Sequence, residues 1–179
     1  VDAVDDLRVT LTGSFANTGS IDVGGDVAAS GTILTLGSVT AGGDISASAT
    51  QTGTSSGSGF ASLKAGGTVP LSARSSFGGA GGSAGTINAV GDVLIASGVD
   101  QAAGGSMVIG DITSSSGSVS VFSNQTGNGT NLGNVSAANN ITISGRAPNT
   151  HLGTLTTGNL VATNGSIRVD ATGMNIADI

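Results

Sequence analysis

Residues 38–49, SVTAGGDISASA, decide the fold. They read as a short strand, a Gly-Gly-Asp turn and a second short strand, with apolar residues at the second, fourth, eighth and tenth places. The same template starts again at Ser20 (SIDVGGDVAASG), Ser62 (SLKAGGTVPLSA), Thr86 (TINAVGDVLIAS), Asp111 (DITSSSGSVSVFS, one residue longer in the turn), Asn134 (NVSAANNITISG) and Leu160 (LVATNGSIRVDA). A first copy, lacking only its leading residue, opens the chain at Val1.

Residues two apart on a strand share a face, so aligning the copies gives four columns expected to point inward. The second place holds Val1, Ile21, Val39, Leu63, Ile87, Ile112, Val135 and Val161, and the fourth Ala3, Val23, Ala41, Ala65, Ala89, Ser114, Ala137 and Thr163. The eighth holds Leu7, Val27, Ile45, Val69, Val93, Val119, Ile141 and Ile167, and the tenth Val9, Ala29, Ala47, Leu71, Ile95, Val121, Ile143 and Val169. Of these 32 places only Ser114 and Thr163 are not apolar, whereas a hydrophobic content of 37% would fill about 12 of them. The turn column reads Asp6, Asp26, Asp44, Thr68, Asp92, Ser118, Asn140 and Ser166, usually after Gly. Each of these side chains is expected to hydrogen-bond its own turn, with Gly at a positive-φ corner.

Copies starting near 1, 20, 38, 62, 86, 111, 134 and 160 are too short to bury a core alone and become stable only when stacked. Each has room for a third strand, with Phe15, Ile33 and Leu36, Phe60, Met107 and Ile109, Leu132, and Leu152 and Leu155 as its apolar residues. The fold class expected is all-β with no helix: one β-solenoid domain over 1–179, most simply a single parallel β-helix of about eight triangular coils. At the inter-strand spacing, eight rungs span about 35 to 40 Å. A β-sandwich is the competing fold, but sandwich strands do not repeat one residue template with small Ala in the same column. Variation in repeat length gathers between the tenth place and the next copy, at 51–59, 74–85, 99–105, 123–131 and 145–151. Insertions at a fixed point of a solenoid project from one side, so these connections are expected to form a polar flank.

Composition agrees with this architecture and removes several functions. The chain has 32 Gly, no Glu, a single Lys (Lys64) and no amphipathic run of helical period. A net charge of −6 without a Lys/Arg cluster disfavours nucleic acid and anionic lipid. No apolar run approaches the length of a membrane span, and Val1 opens directly on repeat sequence, which implies a removed signal or an excised segment. The absence of Cys means that disulfides play no part.

Candidate chemistry is sparse. Carbohydrate-active β-helices need carboxylates or basic groups gathered on adjacent rungs, and Arg8, Asp22, Lys64, Arg168 and Asp170 are scattered, so no catalytic residue is assigned. Asp26 and Asp44, one rung apart, could share a calcium ion, but Thr68 interrupts the column, and turn capping is the simpler role for Asp26, Asp44, Asp92 and Asn140. Nor does His151, the only His, have ligand-spaced partners, so no metal and no cofactor is expected. Asn-x-Ser/Thr triplets occur at Asn124, Asn128, Asn134, Asn140 and Asn164, with Asn124 and Asn128 the best placed acceptors for a glycan. The third-place column, Asp22, Thr40, Lys64, Asn88, Thr113, Ser136 and Ala162, lacks the regular Thr lattice of ice-binding helices.

The recurring S/N-V-x-A-x-G-D/N-I-x-I-x-A, as in SVTAGGDISASA, TINAVGDVLIAS and NVSAANNITISG, resembles the repeats of filamentous haemagglutinin-like adhesins secreted by the two-partner route. The resemblance covers nearly the whole chain and implies a right-handed parallel β-helix rod on or outside a Gram-negative cell, carrying adhesive or toxic modules outward. The secretion domain of that family, with its Asn-Pro motifs, and a carboxy-terminal toxin or anchor are not visible here. The segment is therefore expected to be shaft, and no binding residue carries over. Three functions follow as expectations: a structural rod segment of a secreted or surface adhesin, a subunit stacking end to end into a biofilm or matrix filament, and a carbohydrate-binding or carbohydrate-active β-helix. The expected partners are neighbouring rungs, further copies of itself, or host-cell and surface glycans, with no nucleic acid and no membrane insertion.

Overall fold

The structure is a computed structural model that describes residues 1–50, 58–73, 84–97, 106–123, 129–145 and 152–179. Every regular element among them is a β-strand, and every strand pairing is parallel. The chain is a β-solenoid with three walls. Alternation of Val or Ile with small polar residues turns one face of each wall to the core and the other to solvent.

The second wall is the most regular. Its eight strands, Leu7–Thr10, Val27–Gly31, Ile45–Ala49, Val69–Ala73, Val93–Ser97, Val119–Ser123, Ile141–Ser144 and Ile167–Val169, follow one another in sequence order. The tenth-place column stacks in unbroken register from Val9 through Ala29, Ala47, Leu71, Ile95, Val121 and Ile143 to Val169. In the first wall, Ile21, Val39, Leu63, Ile87, Ile112 and Val135 stack in the same way.

The third wall is built from Phe15–Asn17, Ser106–Ile109, Gly129–Leu132 and Ala171–Asp178, together with the leading halves of Leu34–Ala41, Gly59–Ala65, Ala84–Ala89 and Leu152–Ala162. The trailing halves of those four longer strands run on into the first wall. Inward on the third wall, Leu36, Phe60, Ala84, Ile109, Leu132, Thr157 and Ile176 form one column.

One continuous apolar core fills the space between the walls. Leu63, Val69, Ile87, Ile95, Ile112, Val119, Val121, Val135, Ile141 and Ile143 are 0% exposed, and Ile21, Val27, Val39, Ile45 and Val93 are at most 3% exposed. Burying each such side chain contributes about 1.5 to 3 kcal/mol relative to leaving it in water.

Four details depart from the sequence reading. The count of about eight coils is slightly high: the sealed interior spans about five turns, from Ala29 to Ile143 in the tenth-place column. Leu7, Ile167 and Val169 in the terminal rungs are only half-buried, because a rung with one neighbour leaves its outer side uncovered. The last copy slips by one place. Leu160, not Val161, stacks on Val135, Ala162 stacks on Ala137, and Val161 lies outward at 51% exposure. A one-residue slip turns a strand over, and the larger Leu takes the core place. In the third wall Leu34 rather than Ile33 is the fully buried residue, pairing with Phe15.

Candidate functional site: corner ladders and the second-wall groove

The Gly-Asp corner between the first and second walls is a ladder that runs from rung to rung. The Asp26 N–H donates to Asp6 Oδ1 at 2.8 Å, the Asp44 N–H to Asp26 Oδ1 at 2.8 Å, and the Thr68 N–H to Asp44 Oδ1 at 2.6 Å. After a step at Thr68 the ladder resumes, with the Ser118 N–H on Asp92 Oδ1 at 2.7 Å, the Asn140 N–H on Ser118 Oγ at 3.3 Å and the Ser166 N–H on Asn140 Oδ1 at 2.9 Å. Each side chain thus caps the turn of the following rung. That corrects the expectation that Asp26, Asp44, Asp92 and Asn140 each cap their own.

Glycine at this corner is explained by the same geometry. A Cβ on Gly43 would collide with Asp26 Oδ1, and one on Gly67 with Asp44 Oδ1. Positive φ is not the reason, as the sequence reading had it, since among the described residues the one positive-φ Gly is Gly129, at 87°. Close approach of a neighbouring side chain is what excludes a larger residue. Gly-Asp is therefore a pair read across rungs, with each Gly making room for the Asp of the rung before it.

A second ladder lies at the corner between the third and first walls. The Asn134 N–H donates to Asp111 Oδ1 at 2.8 Å, the Asn134 Nδ2 reaches the same oxygen at 3.2 Å, and the Asn159 N–H donates to Asn134 Oδ1 at 3.0 Å. The sequence reading missed its role. The signal was present in the leading residues Asp111 and Asn134, and it marks Asn159 as the true leading residue of the last copy.

Both ladders occupy the carboxylates and carboxamides that a metal would use. Among the described residues no group of three or more His, Cys, Asp or Glu could hold a metal ion. Asp22 and Lys64 share an outward column of the first wall with Thr40 between them. Arg8 and Arg168 lie outward on the first and last strands of the second wall. Asp170 follows that last strand, its N–H bonded to the Ile143 carbonyl at 2.9 Å. The structure does not gather these residues into one place.

The outer surface of the second wall carries two shallow grooves. One, of about 400 Å³, is lined by Arg8, Thr10, Ser30, Ser46, Ser48 and Ser72 among others, and the second, of about 340 Å³, by Thr68, Pro70, Asp92, Leu94 and Ser120. Ser72 donates to Ser48 Oγ at 3.2 Å. Besides Arg8, Pro70, Asp92 and Leu94, these named lining residues present Ser and Thr hydroxyls.

His151, Asn124 and Asn128 lie outside the described residues. Of the other Asn-x-Ser/Thr triplets, Asn134 and Asn140 have their carboxamides engaged in the ladders, while Asn164 is exposed at the last Gly-Ser corner. No helix of the described residues is long and apolar enough to cross a membrane. The chain matches no family model, no curated protein and no solved structure.

Proposed function

We propose that this chain is a non-enzymatic rod segment of a secreted or cell-surface, adhesin-like bacterial protein, whose work is to hold loops away from the surface that anchors them. One observation carries the reading: every long connection joins the same two walls. Strands ending at Ala49, Ala73, Ser97, Ser123 and Ser144 lead through the variable connections to third-wall strands starting at Gly59, Ala84, Ser106, Gly129 and Leu152. Two ladders and an unbroken core keep the shaft in register while sequence length varies on one flank. The likeness of the repeats to filamentous haemagglutinin-like adhesins supports the same reading, with a location outside a Gram-negative cell as part of the proposal.

The test is antibody labelling of intact source cells, followed by adhesion assays on cells whose protein lacks this segment or has its flank connections replaced by Gly-Ser. Surface labelling with adhesion lost on deletion supports the proposal. A protein confined to the cytosol overturns it.

A filament subunit is a second reading, favoured by the half-buried Leu7, Phe15, Ile167, Val169 and Ile176 at the two ends of the stack, which another rung would cover. Light scattering with electron microscopy separates the two, monomeric rods for a spacer and long filaments for a subunit. Glycans are the ligand class proposed for the flank and the second-wall grooves, and a glycan array with product analysis reads binding and turnover separately.

A further inference from the structure

Asn164 is the described asparagine that is followed by Gly, and it stands at an exposed corner of the last rung. The backbone around it is held: the Thr163 N–H donates to the Ala137 carbonyl at 3.0 Å and the Asn164 N–H to the Ala138 carbonyl at 2.8 Å. The Gly165 N–H, in contrast, donates no hydrogen bond among the described residues, and neither does the Asn164 carboxamide. A carboxamide without a hydrogen bond among the described residues is thus followed by an amide nitrogen that also has none, on a residue with no side chain of its own.

Three other corner asparagines differ on both counts. Asn134 is followed by Val135, and its Oδ1 and Nδ2 both hydrogen-bond. Asn140 is followed by Ile141, and its Oδ1 accepts from the Ser166 N–H and hydroxyl. Asn139 is followed by Asn140, and its Nδ2 donates to the Ser116 carbonyl at 3.0 Å. In these three a branched or polar side chain shields the following nitrogen, and hydrogen bonds hold the carboxamide away from it.

We propose that Asn164 is a site of spontaneous deamidation, with water as the only co-reactant. The Gly165 nitrogen attacks Asn164 Cγ, the new N–Cγ bond forms, the Cγ–Nδ2 bond breaks, and nitrogen leaves as ammonia after taking the Gly165 amide proton. Water then opens the resulting five-membered imide at either carbonyl, giving aspartate or isoaspartate. The isoaspartate route adds a methylene to the backbone where Gly165 already lies against Asn139, so it pulls the Ser166 N–H away from Asn140 Oδ1. Age would therefore be recorded as a loosened last corner while the inner rungs remain intact.

The experiment incubates the folded protein at neutral and mildly alkaline pH and locates converted residues by fragment-ion mass spectrometry with an isoaspartate assay. Expected is a conversion at Asn164 that outruns Asn134, Asn139 and Asn140 and speeds up as pH rises. It should be lost in Asn164→Gln, whose unaged melting curve matches the parent because the Asn164 side chain makes no hydrogen bond among the described residues. An unchanged Asn164 after incubation that converts Asn134 or Asn140, or conversion no faster than at those ladder residues, overturns the proposal.

Discussion

Two corners of the same coil behave in opposite ways. Where the first wall meets the second, the connection varies by one residue over eight repeats, and nearly every rung is tied to the next by a side-chain oxygen on a backbone N–H. Where the second wall meets the third, the connection runs from one residue between Ile167–Val169 and Ala171–Asp178 to ten between Ala73 and Ala84. A ladder couples each turn to both of its neighbours, so a change in one rung strains three. A longer connection adds a loop-closure cost that grows only with the logarithm of its length. Large variation in length is confined to the corner between the second and third walls.

The largest expected effect sets the scale for both corners. Ile95→Asp puts a carboxylate in the 0%-exposed middle of the core, at a cost of several kcal/mol or more, and the cooperative melt should disappear. A variant melting at the parental temperature would mean that Ile95 does not face inward. Gly43→Val comes next: its side chain displaces Asp26 Oδ1 from the Asp44 N–H, for a loss of about 1 to 3 kcal/mol in chemical denaturation. The same substitution at Gly13, where an added Cβ meets nothing within 4 Å, should fall well below that.

Asp44→Ala removes the acceptor of the Thr68 N–H at an exposed site and should cost about 1 kcal/mol. Amide exchange should speed up at Thr68, in the following rung, more than at Asp44. Faster exchange confined to Asp44 would restore the local-cap reading. Smallest of all, adding four Gly-Ser residues to the connection after Ala49 should shift stability by less than about 1 kcal/mol. A loss equal to that of Gly43→Val would erase the distinction between the corners.

The walls were legible in the sequence because an inward place is marked by residue type at a fixed spacing. Val39, Leu63 and Ile87 reveal their column without any knowledge of what lies above or below. The direction of the Asp ladder was not legible. An Asp that caps its own turn and one that caps a turn 18 residues away have the same neighbours in sequence. Gly before Asp reads as a φ requirement in the sequence, because close approach of a side chain from another rung leaves no local trace. Leu160 and Val161 are both apolar, so hydropathy alone could not fix the last register. The longer turn already seen in the Asp111 copy, together with the leading Asn159, would have done so. In the third wall the adjacent Ile33 and Leu34 posed the same ambiguity.

Parallel stacking of one template is the claim on which everything else depends, and distances between spin labels along one outward column test it most directly. In the first wall Asp22, Thr40, Lys64, Asn88, Thr113 and Ser136 lie outward on successive rungs. At about 4.8 Å per rung, backbone separations should be about 14 Å between Asp22 and Asn88 and about 24 Å between Asp22 and Ser136. Distances that rise in proportion to rung number are the predicted result. A pair at Asp22 and Ser136 no farther apart than that at Asp22 and Asn88 would contradict the solenoid.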